Sequence, residues 1–88
     1  IQLRWYENNA VNLVNELLGE VDRSIAAIQE MPMTWPFYQE STWLRRYLLH
    51  RFPFGIIYRI VNNQVQIIAL MHLRRKPGYW KNRTVDEV

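Results

Sequence analysis

The dipeptide Asn62-Asn63 constrains this chain more than any other feature. It sits between two runs rich in β-branched and apolar residues, Gly55 to Val61 and Gln64 to His72, and asparagine tolerates the positive φ angles of a two-residue hairpin turn. With such a loop Val61 stands opposite Gln64, and the register follows: Ile60 opposite Val65, Tyr58 opposite Ile67, Ile56 opposite Ala69, Phe54 opposite Met71. The last four of these pairs form one continuous apolar face, which must be covered. The reverse face would carry Ile57, Ile68 and Leu70 in its middle, Arg59 and Gln66 at one end and His72 at the other. A half-apolar face of that kind expects a second, partial cover, from Tyr79 and Trp80 or from another chain. Trp43 to Leu49 reads as a third strand, joined by a turn at His50 to Phe54 around Pro53.

The main cover is upstream. Val11, Val14, Leu18, Val21, Ile25 and Ile28 repeat at alternating three- and four-residue steps, with Leu13 and Leu17 widening the stripe, and this predicts a helix from Ala10 to Glu30. Asn8 or Asn9 can cap its start, and Pro32 cannot continue it past Met31. Val14, Leu18, Val21 and Ile25 are expected to pack on Ile56, Tyr58, Ile67 and Ala69, while Glu16, Glu20, Asp22 and Glu30 read as a solvated face. Ile1, Leu3 and Trp5 alternate with Gln2 and Arg4, which suits a short strand or the end of a helix. Met31 to Thr42, with Pro32 and Pro36 among Trp35, Phe37 and Tyr38, reads as an ordered connection against the core.

Eighty-eight residues make a single domain, 1–88, and an apolar fraction of 49% supplies a packed core. The absence of cysteine excludes disulfides and Cys-ligated zinc, His, Asp and Glu show no metal-ligand spacing, and no cofactor is expected. No apolar run approaches the roughly 20 residues of a membrane span, so a cytoplasmic protein with no membrane partner is expected. The chain opens at Ile1 rather than Met, and further residues upstream are expected. Charge is segregated: between Ser41 and Val85 there are nine Lys or Arg, two His and none of the eight acids. One-signed strands point to a surface that meets anions, the alternative being that they only keep a sheet edge soluble. Arg45 and Arg46 must point to opposite faces of their strand, so only one of them can join a given site.

The ordered set Arg45-Arg46, Arg51-Phe52-Pro53-Phe54, Tyr58-Arg59, His72, and Arg74-Arg75 leading into Pro77-Gly78-Tyr79-Trp80 and Arg83 resembles the RelE/ParE superfamily of bacterial toxins, on its ParE-like branch. The resemblance spans almost the whole chain. It implies an α+β fold, a helix or helical hairpin on a three- to four-stranded antiparallel sheet, with Trp5-Tyr6-Glu7 closing a first helix. The chain lacks room for both a full first helix and the usual N-terminal edge strand, so that strand is expected to be missing and a sheet edge left open to pairing, a possible homodimer included.

The resemblance also implies a cognate antitoxin as partner and one of two targets. ParE-like members inhibit DNA gyrase by binding; RelE-like members cut messenger RNA on the ribosome. For binding to the target or to nucleic acid the candidates are Arg46, Arg59, Arg74, Arg75, Lys76, Trp80 and Arg83. For metal-independent RNA cleavage, Arg46, Arg74 and Arg75 would clamp phosphate, with His72 or Tyr79 carrying protons. No Lys precedes Lys76, so the Lys-rich catalytic set of RelE-like nucleases has no clear match, and binding to gyrase is the expected activity. His72 has a structural alternative, as a hydrogen-bonded residue at a strand end, and Tyr79 and Trp80 can equally cover the sheet or stack bases. An inactive relative and a plain basic nucleic-acid-binding module complete the alternatives.

Overall fold

The computed structural model describes residues 2–74. One helix, α1 (Gln2–Glu30), precedes three strands, β1 (Arg45–Leu48), β2 (Phe54–Val61) and β3 (Gln64–His72), which form an antiparallel sheet in the order β1-β2-β3. The fold is α+β, a helix packed on a three-stranded antiparallel sheet. Among the described residues no strand precedes α1, and Trp5-Tyr6-Glu7 lies inside the same helix as Ile28 rather than in a strand or a separate helix. Asn8 and Asn9 do not begin the helix. Asparagine inside a helix costs less than about 1 kcal/mol relative to alanine, and no Pro or Gly interrupts the residues from Gln2 to Leu18. The helix stops where expected: Met31 N–H still donates to Ala27 O at 3.2 Å, and Pro32 has no N–H to continue the ladder.

Asn62 and Asn63 take φ of 52° and 64°, the left-handed pair of a tight hairpin. The register next to the turn is the expected one, with Val61 on Gln64, Ile60 on Val65 and Tyr58 on Ile67. Beyond Tyr58 it changes. A bulge at Ile68 puts Ile57 opposite Ala69, Ile56 opposite Leu70 and Phe54 opposite His72, so the expected Ile56–Ala69 and Phe54–Met71 pairs do not form. One extra residue exchanges the faces of everything after it: Ala69 and Met71 turn away from the helix, and His72 turns toward its side.

The exchange builds two cores instead of one. On the helix side Ile28, Tyr47, Leu49, Ile56 and Tyr58 are buried, with Leu17, Val21, Ile25, Trp35 and Phe54 packed around them. On the reverse side Ile57 and Met71 are buried beneath Tyr38 and Leu44. The second cover is therefore the connection between α1 and β1, which folds back along the outer edge of β1 through Tyr38 N–H to Leu44 O (2.7 Å) and Arg46 N–H to Pro36 O (3.1 Å). Tyr79 and Trp80, the expected cover, lie outside the described residues.

Two ties hold the helix to the sheet. Tyr58, 0% exposed, donates its hydroxyl to Pro32 O at 2.7 Å. The Glu20 carboxylate, expected in solvent, is instead buried and accepts the N–H groups of His50 (2.5 Å) and Arg51 (3.2 Å) in the β1–β2 turn. These ties set which part of α1 covers the sheet. Packing on the helix-side core runs from Leu17 to Ile28, while Val14 and Leu18, expected in that core, are 53% and 55% exposed.

Ile28→Ala should therefore lower the unfolding free energy by about 2–5 kcal/mol, whereas Leu18→Asp should shift it by no more than about 0.5 kcal/mol. Urea titration of both variants in dilute solution, followed by circular dichroism, checks the ranking. Burial pushes the Tyr58 phenol above its ordinary 10.0, and the nearby Arg45 offsets only part of that. Because the folded state holds the neutral phenol, this contribution to stability is complete below pH 10.0 and is lost as the pH rises through the folded-state value. Alkaline unfolding should thus be less steep in Tyr58→Phe than in the parent, at the expense of the hydroxyl's bond to Pro32 O.

Candidate functional site

Every charged side chain in the three strands is an arginine, and the pleat divides them. Arg45 stands opposite Tyr58 and Arg46 opposite Ile57, so the two point to opposite faces, as a strand requires. Arg45 is a structural residue. Its guanidinium donates to Trp35 O at 2.6 Å and to Met33 O at 3.4 Å and lies 4.1 Å over the Phe37 ring, which pins the α1–β1 connection to β1.

Arg46 lies on the face away from α1, beside Arg59 of β2. The two are diagonal neighbours across the β1–β2 pair, about 7–8 Å apart at the backbone. Each guanidinium is backed by a ring: Arg46 is 5.8 Å from the centroid of Tyr38 and Arg59 is 5.4 Å from that of Trp43. Arg59 Nε also donates to Gln66 Oε1 across the β2–β3 pair. A cation held against a ring keeps its N–H edges free for a partner while losing little side-chain freedom on binding. Gly55 makes room for this arrangement, since a Cβ there would lie 3.3 Å from Arg46 Cγ and 3.5 Å from Leu48 Cδ2. Among the described residues the ion pair between side chains is Arg51 Nη2 to Glu16 Oε2 at 3.0 Å, which leaves Arg46 and Arg59 outside it.

The structure separates these arginines from His72. That residue sits at the end of β3 on the helix side, its ring 5.0 Å from Phe54 in an edge-on contact, and its Nδ1 accepts the Arg74 N–H at 3.1 Å. A neutral imidazole has one acceptor nitrogen, so in this arrangement its lone pair is already engaged. Arg74 is exposed at the end of the described chain, and Arg75, Lys76, Tyr79, Trp80 and Arg83 lie outside it. No group of three or more His, Asp or Glu residues among the described residues could hold a metal ion, and no helix there is long and apolar enough to cross a membrane.

Sequence reasoning named Arg46 and Arg59 as candidates and did not so name Tyr38, Trp43 and Gly55, which the structure places beside them. Their part depends on the chain folding back along β1, which leaves no periodic signal. The Ser41 side chain fixes that return by accepting the N–H groups of Trp43 (3.1 Å) and Leu44 (2.8 Å), a turn chemistry that Glu40-Ser41-Thr42 could have announced. Comparison with protein-family models, curated proteins and solved structures finds no match for this chain.

The two adjacent arginines should behave differently on truncation. Arg45→Ala removes charge-assisted bonds to two carbonyls and should destabilise the fold by about 1.5–3 kcal/mol. Arg46→Ala should leave the midpoint of chemical unfolding within about 0.5 kcal/mol of the parent and should elute from a heparin column at lower salt. Equal loss of stability in both would show that Arg46 is also a structural residue.

Proposed function

We propose that this chain is the toxin component of a type II toxin–antitoxin pair and that it acts by binding DNA gyrase through the arginine-bearing face of its sheet. The observation that carries this reading is the Arg46–Arg59 pair, backed by Tyr38 and Trp43 on the face opposite the helix. Such a surface suits an interface, because arginine and aromatic anchors dominate the energetics of protein contacts. It is also the surface a cognate antitoxin with acidic side chains would neutralise. The ordered motifs that resemble ParE-like toxins supply the choice of target, and the α+β arrangement agrees with that resemblance.

Ribosome-dependent cleavage of messenger RNA is the second reading. It draws on His72 as proton carrier with Arg46 and Arg74 on the phosphate, and the placement of His72 and Arg46 on opposite faces of the sheet weighs against it. A tail carrying Tyr79, Arg75 and Lys76 would have to supply the missing groups.

Inducing the chain in bacterial cells while following plasmid supercoiling and messenger RNA ends separates the two. Loss of supercoiling with intact messages is expected. Arg46→Ala and Arg59→Ala should each weaken the effect about tenfold, since a partly exposed anchor is worth roughly 1.4 kcal/mol, and His72→Ala should leave it unchanged. Rapid cuts within reading frames, with supercoiling unaltered and His72→Ala inactive, would overturn the proposal.

A further inference from the structure

On the face of the sheet away from α1 the strands supply charge of one sign. Arg46 and Arg59 stand there, and the sequence holds no Asp or Glu from Ser41 to Val85. Beside them is Trp43, whose backbone N–H is held by the Ser41 hydroxyl and whose side chain is 55% exposed although the Arg59 guanidinium lies over its ring. We infer that this face binds a single strand of nucleic acid, with phosphates on Arg46 and Arg59 and a base stacked on Trp43. The inference goes beyond the toxin reading and does not rest on gyrase as target; a protein bound to the same face would compete with the strand.

Three features select that ligand. The first is the separation of the two cations. The stem of Arg46 leans on the position of Gly55, toward the β1–β2 turn, while Arg59 stays level with Gln66 and Trp43, toward the Asn62-Asn63 turn. Between them Ile57 and Met71 are sealed beneath Tyr38 and Leu44. A small anion meets one arginine, whereas a polymer charged at every repeat meets both.

The second is the open ring. An aromatic anchor of a protein interface is effective when it fills a pocket and loses its water. A ring more than half exposed on the surface suits stacking, because every base has a π-face to offer it and a neighbouring arginine adds a cation to the stack. Bases present their faces only where they are unpaired and splayed, so a duplex can use the arginines but not Trp43.

The third is the polar remainder of the face. Gln64 and Gln66 are exposed on it, opposite Val61 and Arg59, and an amide both donates and accepts, which fits base edges of either kind. An acidic peptide has no use for such groups or for the open ring, and it carries charge only where its own sequence places it.

Fluorescence anisotropy of a labelled oligothymidylate of about twelve nucleotides, titrated with the full chain between about 50 and 200 mM salt, tests this. Each phosphate contact with a single strand contributes about 0.7 to the slope of log affinity against log salt, so Arg46→Ala and Arg59→Ala should each flatten the slope by about that amount. Trp43→Leu should weaken binding about tenfold with the slope unchanged, and should make no difference to a duplex of the same length. An oligouridylate in place of the oligothymidylate should behave alike, since no contact invoked here reads the sugar. If Arg59→Ala fails to give a folded far-ultraviolet spectrum, Arg46→Ala and Trp43→Leu carry the test. No binding at the lowest salt, an unchanged slope in Arg46→Ala, an unchanged affinity in Trp43→Leu, or a polyglutamate that displaces the strand as well as unlabelled oligothymidylate does would each overturn the inference. Strand binding in a chain that leaves plasmid supercoiling intact would keep this inference and overturn gyrase as the target.

Discussion

The side chain of Tyr58 is the point on which the two layers of this protein depend. It occupies the middle of the central strand, is fully buried against Ile28 and its neighbours, and donates its hydroxyl to Pro32 O, two residues past the end of α1. A phenol can do this because its ring is apolar and its tip is not. The tie positions the end of α1 over β2, and the Glu20 carboxylate repeats it twelve residues earlier at the β1–β2 turn. Those two points fix the placement of the helix on the sheet, with packing from Leu17 to Ile28.

The same strand position is where the sheet changes register. Tyr58 keeps its pairing with Ile67, and the next residue of β2 toward the turn with Pro53 pairs one step out because Ile68 is bulged. A bulge at that place gives Met71 to the reverse face, where it lies buried and accepts a contact from the Tyr38 hydroxyl at 3.5 Å. The reverse face therefore acquires a core of its own. That core in turn holds down the α1–β1 connection, which brings Tyr38 and Trp43 beneath Arg46 and Arg59. The candidate surface is thus a consequence of how the central hairpin is paired.

Charge is divided along the same lines. Glutamates of α1 serve the β1–β2 turn, Glu20 through backbone N–H groups and Glu16 through Arg51, and Arg45 is committed to the carbonyls of the connection. Arg46 and Arg59, on the face away from the acidic helix, enter no ion pair among the described residues. An ion pair at an exposed site stabilises a fold by at most about 1 kcal/mol, so the lack of a carboxylate beside Arg46 and Arg59 among the described residues costs little stability.

Local chemistry determined the hairpin, the end of the helix and the one-signed strands. Asn62-Asn63 can only be a tight turn between two β-rich runs, Pro32 cannot donate the next helical bond, and Arg45 and Arg46 must diverge because side chains alternate along a strand. Tertiary structure decided what no local preference encodes. A bulge at Ile68 goes with Met71 packing against Tyr38 on one face and His72 against Phe54 on the other, and alternation alone reads equally well with or without it. Glu20 looks like any solvated glutamate until a turn thirty residues later offers it two N–H groups. A seven-residue apolar repeat says that a helix has a seam, but how far the sheet reaches along that seam depends on strand length and on where the two ties fall, which is why Val14 and Leu18 lie open while Ile28 is sealed.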